Sequence, residues 1–143
     1  MKKKVTNEMS MQFTSDSRNE SFARYAVTSF ISQLDPAMDE LADLRTAVSE
    51  AVTNSIIHGY KGVIGVVKVG VRLYDDRSVR IKISDKGCGI EDVEQAMQPL
   101  YTTDSSGERG GMGFAIMQSF SDHLSVKSKV GIGTQVVMVK KLK

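Results

Sequence analysis

Hydrophobic and polar residues alternate with a period of two in five parts of the chain. This is the pattern of strands that keep one face in a core and the other in water. The second and third segments are separated only by the turn Asp75-Asp76-Arg77, and the last two only by a glycine-rich turn, so we expect two antiparallel hairpins. The first segment is predicted to be an edge strand. The predicted strands are residues 7–14, 65–74, 78–84, 123–128 and 134–142.

Apolar residues recur at intervals of three and four between these strands, which predicts helices. Ser17 and Glu20 have the spacing of a capping box at the start of the first helix. Asp35-Pro36 restarts the chain as the second helix, with aspartate as cap and proline at the first helical position, and Gly59 ends it. The predicted helices are residues 18–34, 36–58, 91–97 and 112–121.

The first helix is predicted to place a row of Phe22, Ala26 and Phe30 on one side. Arg24 lies apart from this row and is expected to face outward. An exposed helical arginine is usually only solvated, but arginine is also a residue type that anchors protein partners.

Helices and strands are segregated along the chain rather than alternating. This order favours an α+β fold over parallel βαβ winding. We expect a two-layer α/β sandwich, in which one mixed, mostly antiparallel sheet carries helices on one face. A length of 143 residues with 41% hydrophobic content corresponds to a single domain over residues 1–143.

Charge and hydropathy argue against several classes of protein. No apolar run approaches the roughly 20 residues that cross a bilayer, and no signal-type stretch follows the lysine-rich start, so a cytoplasmic location is expected. The net charge is +2, and leaving out the six lysines at the two ends gives −4 for the body, so no direct contact with nucleic acid is expected. Cys88 is the single cysteine, so an internal disulfide is excluded and no second cysteine is present to share a metal site.

The second helix ends in a row of polar residues. Glu50, Asn54 and His58 recur every four residues and therefore share one side of a helix. A polar helix face is often no more than solvated, so this row alone does not indicate a function. The apolar residues of the same helix lie on another side, and they are Leu41, Leu44, Val48, Val52 and Ser55.

An aspartate followed by alternating glycines leaves the third strand, in Asp85-Lys86-Gly87-Cys88-Gly89. Such a loop lets the backbone approach a flat ligand closely. A carboxylate only accepts hydrogen bonds, so it would pair with a donor such as an exocyclic amine. A plain turn is the alternative interpretation.

The periodicity fails over residues 98–110, a length at which loops in compact domains are usually functional or disordered. The glycine-rich segment Gly110-Gly111-Met112-Gly113 then opens the last helix, where unpaired N–H groups suit a phosphate. Arg109 adds a fork of donors for a terminal phosphate. No Gly-Lys-Ser/Thr follows, so the segment is not a P-loop. We predict that it is a lid.

Four motifs, in their order along the chain, resemble the ATP-binding boxes of the GHKL superfamily. One box would be weak evidence, but four in order over nearly the whole chain are specific. Within the superfamily, the chain is similar to the anti-sigma F serine kinases of endospore-forming bacteria, for example in residues 19–24 and 49–54. The motifs are Glu50-x-x-x-Asn54-x-x-x-His58-Gly59-Tyr60, Asp85-x-Gly87-x-Gly89, Arg109-Gly110-Gly111-Met112-Gly113 and Gly131-x-Gly133-Thr134.

The resemblance implies a Bergerat-type ATP-binding fold with ATP and Mg²⁺ as cofactors. It also implies a homodimer that holds a sporulation sigma factor of the sigma F type inactive when ATP is bound. The same protein would phosphorylate a serine of an anti-anti-sigma factor. The motifs follow the order and spacing of the family. The link from Tyr60 to the second strand is a departure, because it is shorter than in the family pattern.

The resemblance also implies roles for single residues. Asn54 would be the Mg²⁺ ligand and Asp85 the acceptor for the adenine amine. Gly110 stands where the family pattern has serine, which removes one hydroxyl contact of the lid. The other implied contacts are Gly87 and Gly89 beside adenine, Arg109 at the γ-phosphate, Gly110, Gly111, Met112 and Gly113 in the lid, Thr134 closing the adenine pocket, and Arg24 shared by both protein partners.

The chemistry of phosphoryl transfer gives the same assignment for the metal ligand and the base. Mg²⁺ keeps several waters and takes phosphate oxygens, so one neutral asparagine is a sufficient protein ligand. Glu50 lies one turn before Asn54, about 5–6 Å along the helix, and can accept a hydroxyl proton as the catalytic base. An ATP-gated binding module without transfer activity and a stress-response switch kinase with other partners remain alternatives. A histidine-kinase domain would need a separate dimerisation domain, for which this length leaves no room.

Overall fold

The computed structural model describes residues 2–97 and 113–143 of the chain. Its helices and strands follow the predicted order, with bounds shifted by a few residues. In chain order they are β1 (Val5–Thr14), α1 (Asn19–Ile31), a 3-10 turn (Ser32–Leu34), α2 (Met38–Asn54), a π-turn (Ser55–Gly59), β2 (Val66–Tyr74), β3 (Ser78–Asp85), α3 (Val93–Ala96), α4 (Gly113–Ser119), β4 (His123–Lys129) and β5 (Gly133–Lys141).

The strands form one sheet in the order β1-β2-β3-β5-β4, and each neighbouring pair is antiparallel. The α+β two-layer class is therefore confirmed, and β1 lies at an edge as predicted. The described strands contain no parallel pair, so the sheet is the purely antiparallel form of that class. The two hairpins bring β3 and β5 together at the centre, where Asp85 at the end of β3 pairs with Thr134 of β5.

The core lies between the sheet and the helices. Val67, Val69, Ile81 and Ile83 alternate along β2 and β3 and are at most 1% exposed. Burying one such side chain stabilises the fold by roughly 1.5–3 kcal/mol. The alternation therefore decides which face of the sheet the helices cover. On that face α2 packs against α1 and α4.

The apolar row of α2 is buried as predicted, and Leu44, Val48 and Val52 are at most 1% exposed. The predicted start of this helix is wrong. Asp35 has a left-handed φ of 50° and lies with Pro36 before the helix. The Glu40 carboxylate accepts a hydrogen bond from the backbone N–H of residue 37 at 3.1 Å, and this contact holds the first turn.

The end of α2 is not a continuous α-helix. After Asn54 the hydrogen bonding widens into the π-turn, in which the N–H of Tyr60 donates to the carbonyl of Ser55 at 3.2 Å. A π-turn holds about one residue more than an α-turn and rotates the residues that follow it. Glu50 and Asn54 therefore lie in the α-helical part of the row, whereas His58 lies within the π-turn.

The buried face of α1 differs from the predicted one. Ala23, Val27 and Ile31 are fully buried, whereas Phe22 is 56% exposed. The Phe22 ring packs edge-to-face on Phe13 of β1, with 6.4 Å between the ring centres, at the border of the core. The small Ala23 side chain occupies the interior position next to it, so the helix is rotated by about one residue from the prediction.

The predicted capping box of α1 is also wrong. The Glu20 side chain does not cap the helix but accepts a hydrogen bond from the Ser49 hydroxyl of α2. The cap position is Arg18, which makes no side-chain capping bond. Glu20 thus links α1 to α2. Among the helices in the described part of the chain, none is long and apolar enough to cross a membrane.

Candidate functional site

A cavity of about 310 Å³ opens between the end of α2, the loop after β3, the start of α4 and the strand β5. This volume is at the lower end of the range for small-molecule sites. The residues that line it come from segments far apart in the sequence. They are Ala51, Asn54, Ser55, His58, Gly59, Lys61, Asp85, Cys88, Gly89, Ile90, Glu91, Ala96, Gly113, Phe114, Val130, Thr134 and Val136.

Asp85 lines this cavity and is only 8% exposed. Its Oδ1 accepts a hydrogen bond from the backbone N–H of Gly87 at 2.9 Å. The Ser55 hydroxyl and the backbone of Thr134 also hydrogen-bond to Asp85. Burial raises the pKa of Asp85 above its ordinary value of 3.8, and these three hydrogen bonds oppose that rise.

Gly87 shows why the loop after Asp85 is rich in glycine. A β-carbon at Gly87 would lie 2.1 Å from the carbonyl oxygen of Gly59, closer than any side chain can approach. The carbonyl of Gly59 also accepts a hydrogen bond from the N–H of Cys88 at 2.8 Å. The loop therefore packs backbone to backbone against the end of the π-turn, and this contact fixes the wall of the cavity beside Asp85.

Tyr60 connects the same loop to the sheet. Its hydroxyl accepts a hydrogen bond from the N–H of Lys86 at 2.7 Å and donates one to the carbonyl of Val66, also at 2.7 Å. The ring is 7% exposed and lies against Gly65. Tyr60 thus holds the end of β3 against the start of β2.

Asn54, which lines the cavity, and Glu50 meet the first residue of α4. A β-carbon at Gly113 would lie 2.9 Å from Asn54 Nδ2, 3.1 Å from Asn54 Oδ1 and 3.3 Å from Glu50 Oε2. The amide and the carboxylate therefore converge on one point at the start of this helix. The arrangement places an oxygen ligand and a proton acceptor side by side.

The rest of the cavity wall is largely apolar. Ile90, Phe114, Val136 and Ala51 line it, and Thr134 adds one hydroxyl. Apolar walls with a few polar groups at fixed positions are typical of sites for flat aromatic ligands. The cavity suits a ring that has a hydrogen-bond donor at Asp85 and an anionic group toward Asn54.

Comparison with known proteins identifies the family. The family model for the histidine kinase-like ATPase domain matches residues 13–140. The chain is 55% identical to the anti-sigma F factor of Clostridium novyi over 138 residues, which cover 96% of each chain. It is 53% identical to the anti-sigma F factor of Priestia megaterium over 139 residues, which cover 96% of this chain and 95% of the relative. The chain belongs to the anti-sigma F factor family.

The fold of this anti-sigma F family member is similar to that of solved structures of more distant proteins. The RsbU and RsbW domains of a Mycobacterium tuberculosis protein align with a TM-score of 0.70 at 18% identity, over 96% of this chain and 32% of that chain. The SiaB–SiaC complex of Pseudomonas aeruginosa aligns with a TM-score of 0.56 at 13% identity, over 90% of this chain and 88% of that chain. At these identities the likeness concerns the fold alone.

The structure brings most of the predicted site residues of this anti-sigma F family member together. Gly87 packs behind the cavity wall and Glu50 lies beside Gly113. Arg24 lies apart from the cavity on α1, where its guanidinium stands 5.0 Å from the centre of the Tyr25 ring. Arg109, Gly110, Gly111 and Met112 lie outside the described residues. Those that line the cavity are Asn54, Asp85, Gly89, Gly113 and Thr134.

Sequence reasoning missed several residues of the cavity in this family member. Ser55 was assigned to the apolar row of α2, and it is buried there, but its hydroxyl reaches Asp85. A hydroxyl at a core position of a helix was the available signal. Ile90, Phe114 and Val136 gave no such signal, because apolar residues that line a ligand site and apolar residues of the core have the same pattern.

Proposed function

We propose that this chain binds a sporulation sigma factor of the sigma F type in an ATP-dependent way and phosphorylates a serine of an anti-anti-sigma factor. The convergence of Asn54 and Glu50 on Gly113, in a cavity that Asp85 also lines, carries the kinase part of the proposal. The identity to anti-sigma F factors over nearly the full length of the chain supports the part that concerns the sigma factor.

The base of ATP fits the part of the cavity that contains Asp85. The carboxylate offers an acceptor to an exocyclic amine, and its hydrogen bonds to Gly87 and Ser55 hold it in place. The apolar walls at Ile90 and Val136 exclude water from the two faces of a ring. Asp85, Thr134 and Gly89 are therefore proposed as the adenine contacts.

The residues around Asn54 fit a hydrated Mg²⁺ ion and the phosphates. Asn54 is proposed as the Mg²⁺ ligand, because its amide oxygen lies at the cavity wall where only a glycine leaves room. Bound Mg²⁺ would neutralise charge on the phosphate oxygens. Arg109, Gly110, Gly111 and Met112 precede Gly113 in the chain and are proposed to complete the phosphate side.

Glu50 is proposed as the base of the transfer step. Its carboxylate oxygen lies within 3.3 Å of the position that a β-carbon at Gly113 would occupy, so it borders the same space as Asn54. A carboxylate in this place can accept the proton of a serine hydroxyl as that oxygen attacks the terminal phosphorus in line. Asn54 and Glu50 then have separate tasks, one in binding and one in proton transfer.

The protein partners are proposed to meet at α1, where Arg24 lies. Its side chain is 31% exposed, and its guanidinium lies 3.8 Å from Glu20 as well as over the Tyr25 ring. These contacts restrict its rotamers, so less entropy is lost when a partner binds. We further propose that the protein acts as a homodimer in the cytoplasm.

A transfer assay with a binding assay tests this proposal. The protein is incubated with Mg²⁺, γ-labelled ATP and a candidate anti-anti-sigma factor, and a serine-to-alanine variant of that factor is the control. Label on the serine of the first and none on the second is the expected result. Binding of the sigma factor is measured in parallel with ATP and with ADP.

The labelling and sigma-factor binding results together distinguish three functions. Tighter sigma-factor binding with ATP than with ADP, together with labelled serine, supports the whole proposal. ATP-dependent binding without label would identify an ATP-gated module instead of a kinase. Labelling of a factor from a stress-response system, without sigma F binding, would identify a different switch kinase.

A further inference from the structure

Ser128, at the end of β4, joins three parts of the chain on the base side of the cavity. Its Oγ accepts a hydrogen bond from the N–H of Ile90 at 2.7 Å. The same oxygen lies 3.1 Å from the carbonyl oxygen of Gly133 and 2.8 Å from the Thr134 hydroxyl. Ser128 does not line the cavity, but Ile90 and Thr134 do.

The number of hydrogen bonds that a hydroxyl can make fixes the direction of these contacts. Ser128 has one proton and two lone pairs. If it donates to the Gly133 carbonyl, it can accept from both the Ile90 N–H and the Thr134 hydroxyl, and all three contacts are hydrogen bonds. If it donates to Thr134 instead, the contact with the Gly133 carbonyl has no proton. The first arrangement satisfies every contact.

In that arrangement the Thr134 hydroxyl proton points to Ser128. Thr134 can then only accept hydrogen bonds from a ligand. Its neighbour across the β3–β5 pair is Asp85, whose carboxylate also only accepts. Directly opposed residues in antiparallel strands have β-carbons about 4.5–5.5 Å apart. The Asp85 carboxylate and the Thr134 hydroxyl oxygen therefore form two neighbouring acceptors on the base side of the cavity.

We propose that Ser128 is a positioning residue that fixes the Thr134 hydroxyl as an acceptor, so that the cavity selects a purine with a 6-amino group over one with a 6-oxo group. The inference rests on the proposed adenine site and assigns its selectivity to a residue outside the cavity wall. A 6-amino group offers two protons to two acceptors. A 6-oxo group places an acceptor against them, and such a mismatch leaves buried polar atoms without partners.

The test compares ADP with IDP, which differ at this position of the base, by calorimetric titration of the full chain. The variants are Ser128→Ala, Ser128→Thr and Thr134→Val, and Ser125→Ala on the same strand is the matched control. In Ser128→Ala the Thr134 hydroxyl can rotate and donate to a 6-oxo group. The preference for ADP over IDP is expected to fall about tenfold, which corresponds to one hydrogen bond. Ser128→Thr keeps the hydroxyl and is expected to keep the preference.

A purely structural role for Ser128 would give a different result. A less ordered pocket would lower the affinities for ADP and IDP by the same factor, so the ratio of the two affinities would not change. That result in Ser128→Ala would overturn the inference. If Ser128→Ala does not fold, Thr134→Val answers the same question, since it removes the acceptor and should also lower the ratio. An unchanged ratio there would overturn the inference as well. A wild-type chain that binds neither ADP nor ATP would instead contradict the proposed function.

Discussion

Gly113 lies directly against the side chain of Asn54, with 2.9 Å between the position of a β-carbon on Gly113 and Asn54 Nδ2. Contacts between real β-carbons and other atoms are essentially never this short. The first residue of α4 and the amide at the end of α2 therefore depend on each other. Any change in one that adds volume must displace the other.

Replacing Gly113 by alanine is expected to displace the Asn54 amide and to weaken ATP binding in the presence of Mg²⁺ by about 10-fold or more, since overpacking costs roughly 1–3 kcal/mol. Titration of ATP into the variant measures this. Gly70→Ala is the control, because a β-carbon there meets only one atom within 4 Å, the Met9 carbonyl oxygen at 3.9 Å. Equal ATP affinity in the two variants would contradict the close packing.

Asn54→Ala is expected to abolish the effect of Mg²⁺ on ATP binding while leaving adenosine affinity within about twofold. The reason is that Asn54 is the proposed metal ligand, whereas the proposed adenine contacts are Asp85, Thr134 and Gly89. ATP affinity is measured with and without Mg²⁺, and adenosine affinity serves as the internal control. A Mg²⁺ effect of wild-type size in the variant would show that another group holds the metal.

Glu50→Ala is expected to keep ATP and sigma-factor binding and to lower the rate of serine phosphorylation by roughly 10²–10⁴-fold, the range for removal of a general base. Single-turnover transfer at saturating ATP measures the chemical step without a contribution from binding. Thr53→Ala, on the same helix, is the control for general effects of substitution. Transfer at the wild-type rate in Glu50→Ala would remove Glu50 from the mechanism.

The raised pKa of Asp85 predicts that, as the pH falls, nucleotide affinity decreases whereas the contribution of Asp85 to folding stability increases. Because burial raises its pKa above 3.8, the carboxylate is lost at a higher pH than for an ordinary aspartate. Adenine-nucleotide affinity should therefore fall as the pH drops through this raised pKa. The stability contribution of Asp85 is present in full below pH 3.8 and is lost as the pH rises through the raised pKa, since only the folded state disfavours the charge.

Comparison with Asp85→Asn isolates both effects. The difference in free energy of unfolding between the wild type and the variant should change in favour of the variant as the pH rises from 3.8, and then become constant. The variant should also lose the acid-dependent change in nucleotide affinity that the wild type shows. A wild-type affinity that stays constant down to pH 3.8 would contradict the raised pKa.

Arg24→Ala is expected to weaken sigma-factor binding by about 10-fold or more, as arginines at the centre of interfaces do, and to leave ATP affinity unchanged. Its position on α1, away from the cavity, is the reason for the second expectation. Arg18→Ala is a suitable control, because Arg18 lies at the start of the same helix and its side chain is 88% exposed. A loss of ATP affinity in Arg24→Ala would place its role at the nucleotide instead.

The strands could be predicted well because their evidence is local. Apolar residues alternate with polar or small ones in β2, at Val67 and Val69, and in β3, at Ile81 and Ile83. This period of two is enough to predict which side of the sheet is buried. The face of α1 could not be predicted in the same way. Large Phe22 and small Ala23 are neighbours, and only the packing of α2 against α1 decides that the smaller residue is inside.

Residues of the candidate site could be predicted where the residue type and its position at the end of a strand or helix indicate a chemical role. Asp85 stands at the end of an apolar strand and Gly113 at the start of a helix, so both were visible in the sequence. The contact of Ser55 with Asp85 was not visible, because it depends on the position of α2 above the sheet. The π-turn at His58 was not visible either, since a π-turn has no reliable pattern of residue types.

Hydrogen bonds join the loop after β3 to Gly59 and Tyr60 at the end of the π-turn, so these two segments should open together when the fold opens locally. The N–H groups of Lys86 and Cys88 are bound by the Tyr60 hydroxyl and the Gly59 carbonyl, so neither can meet solvent while the helix end stays folded. Their amide hydrogens should exchange with water in the same opening event as the last turn of the helix, although the hydrogen bond between Lys86 and Tyr60 spans 26 residues of chain. We therefore expect the two segments to open as a single cooperative unit.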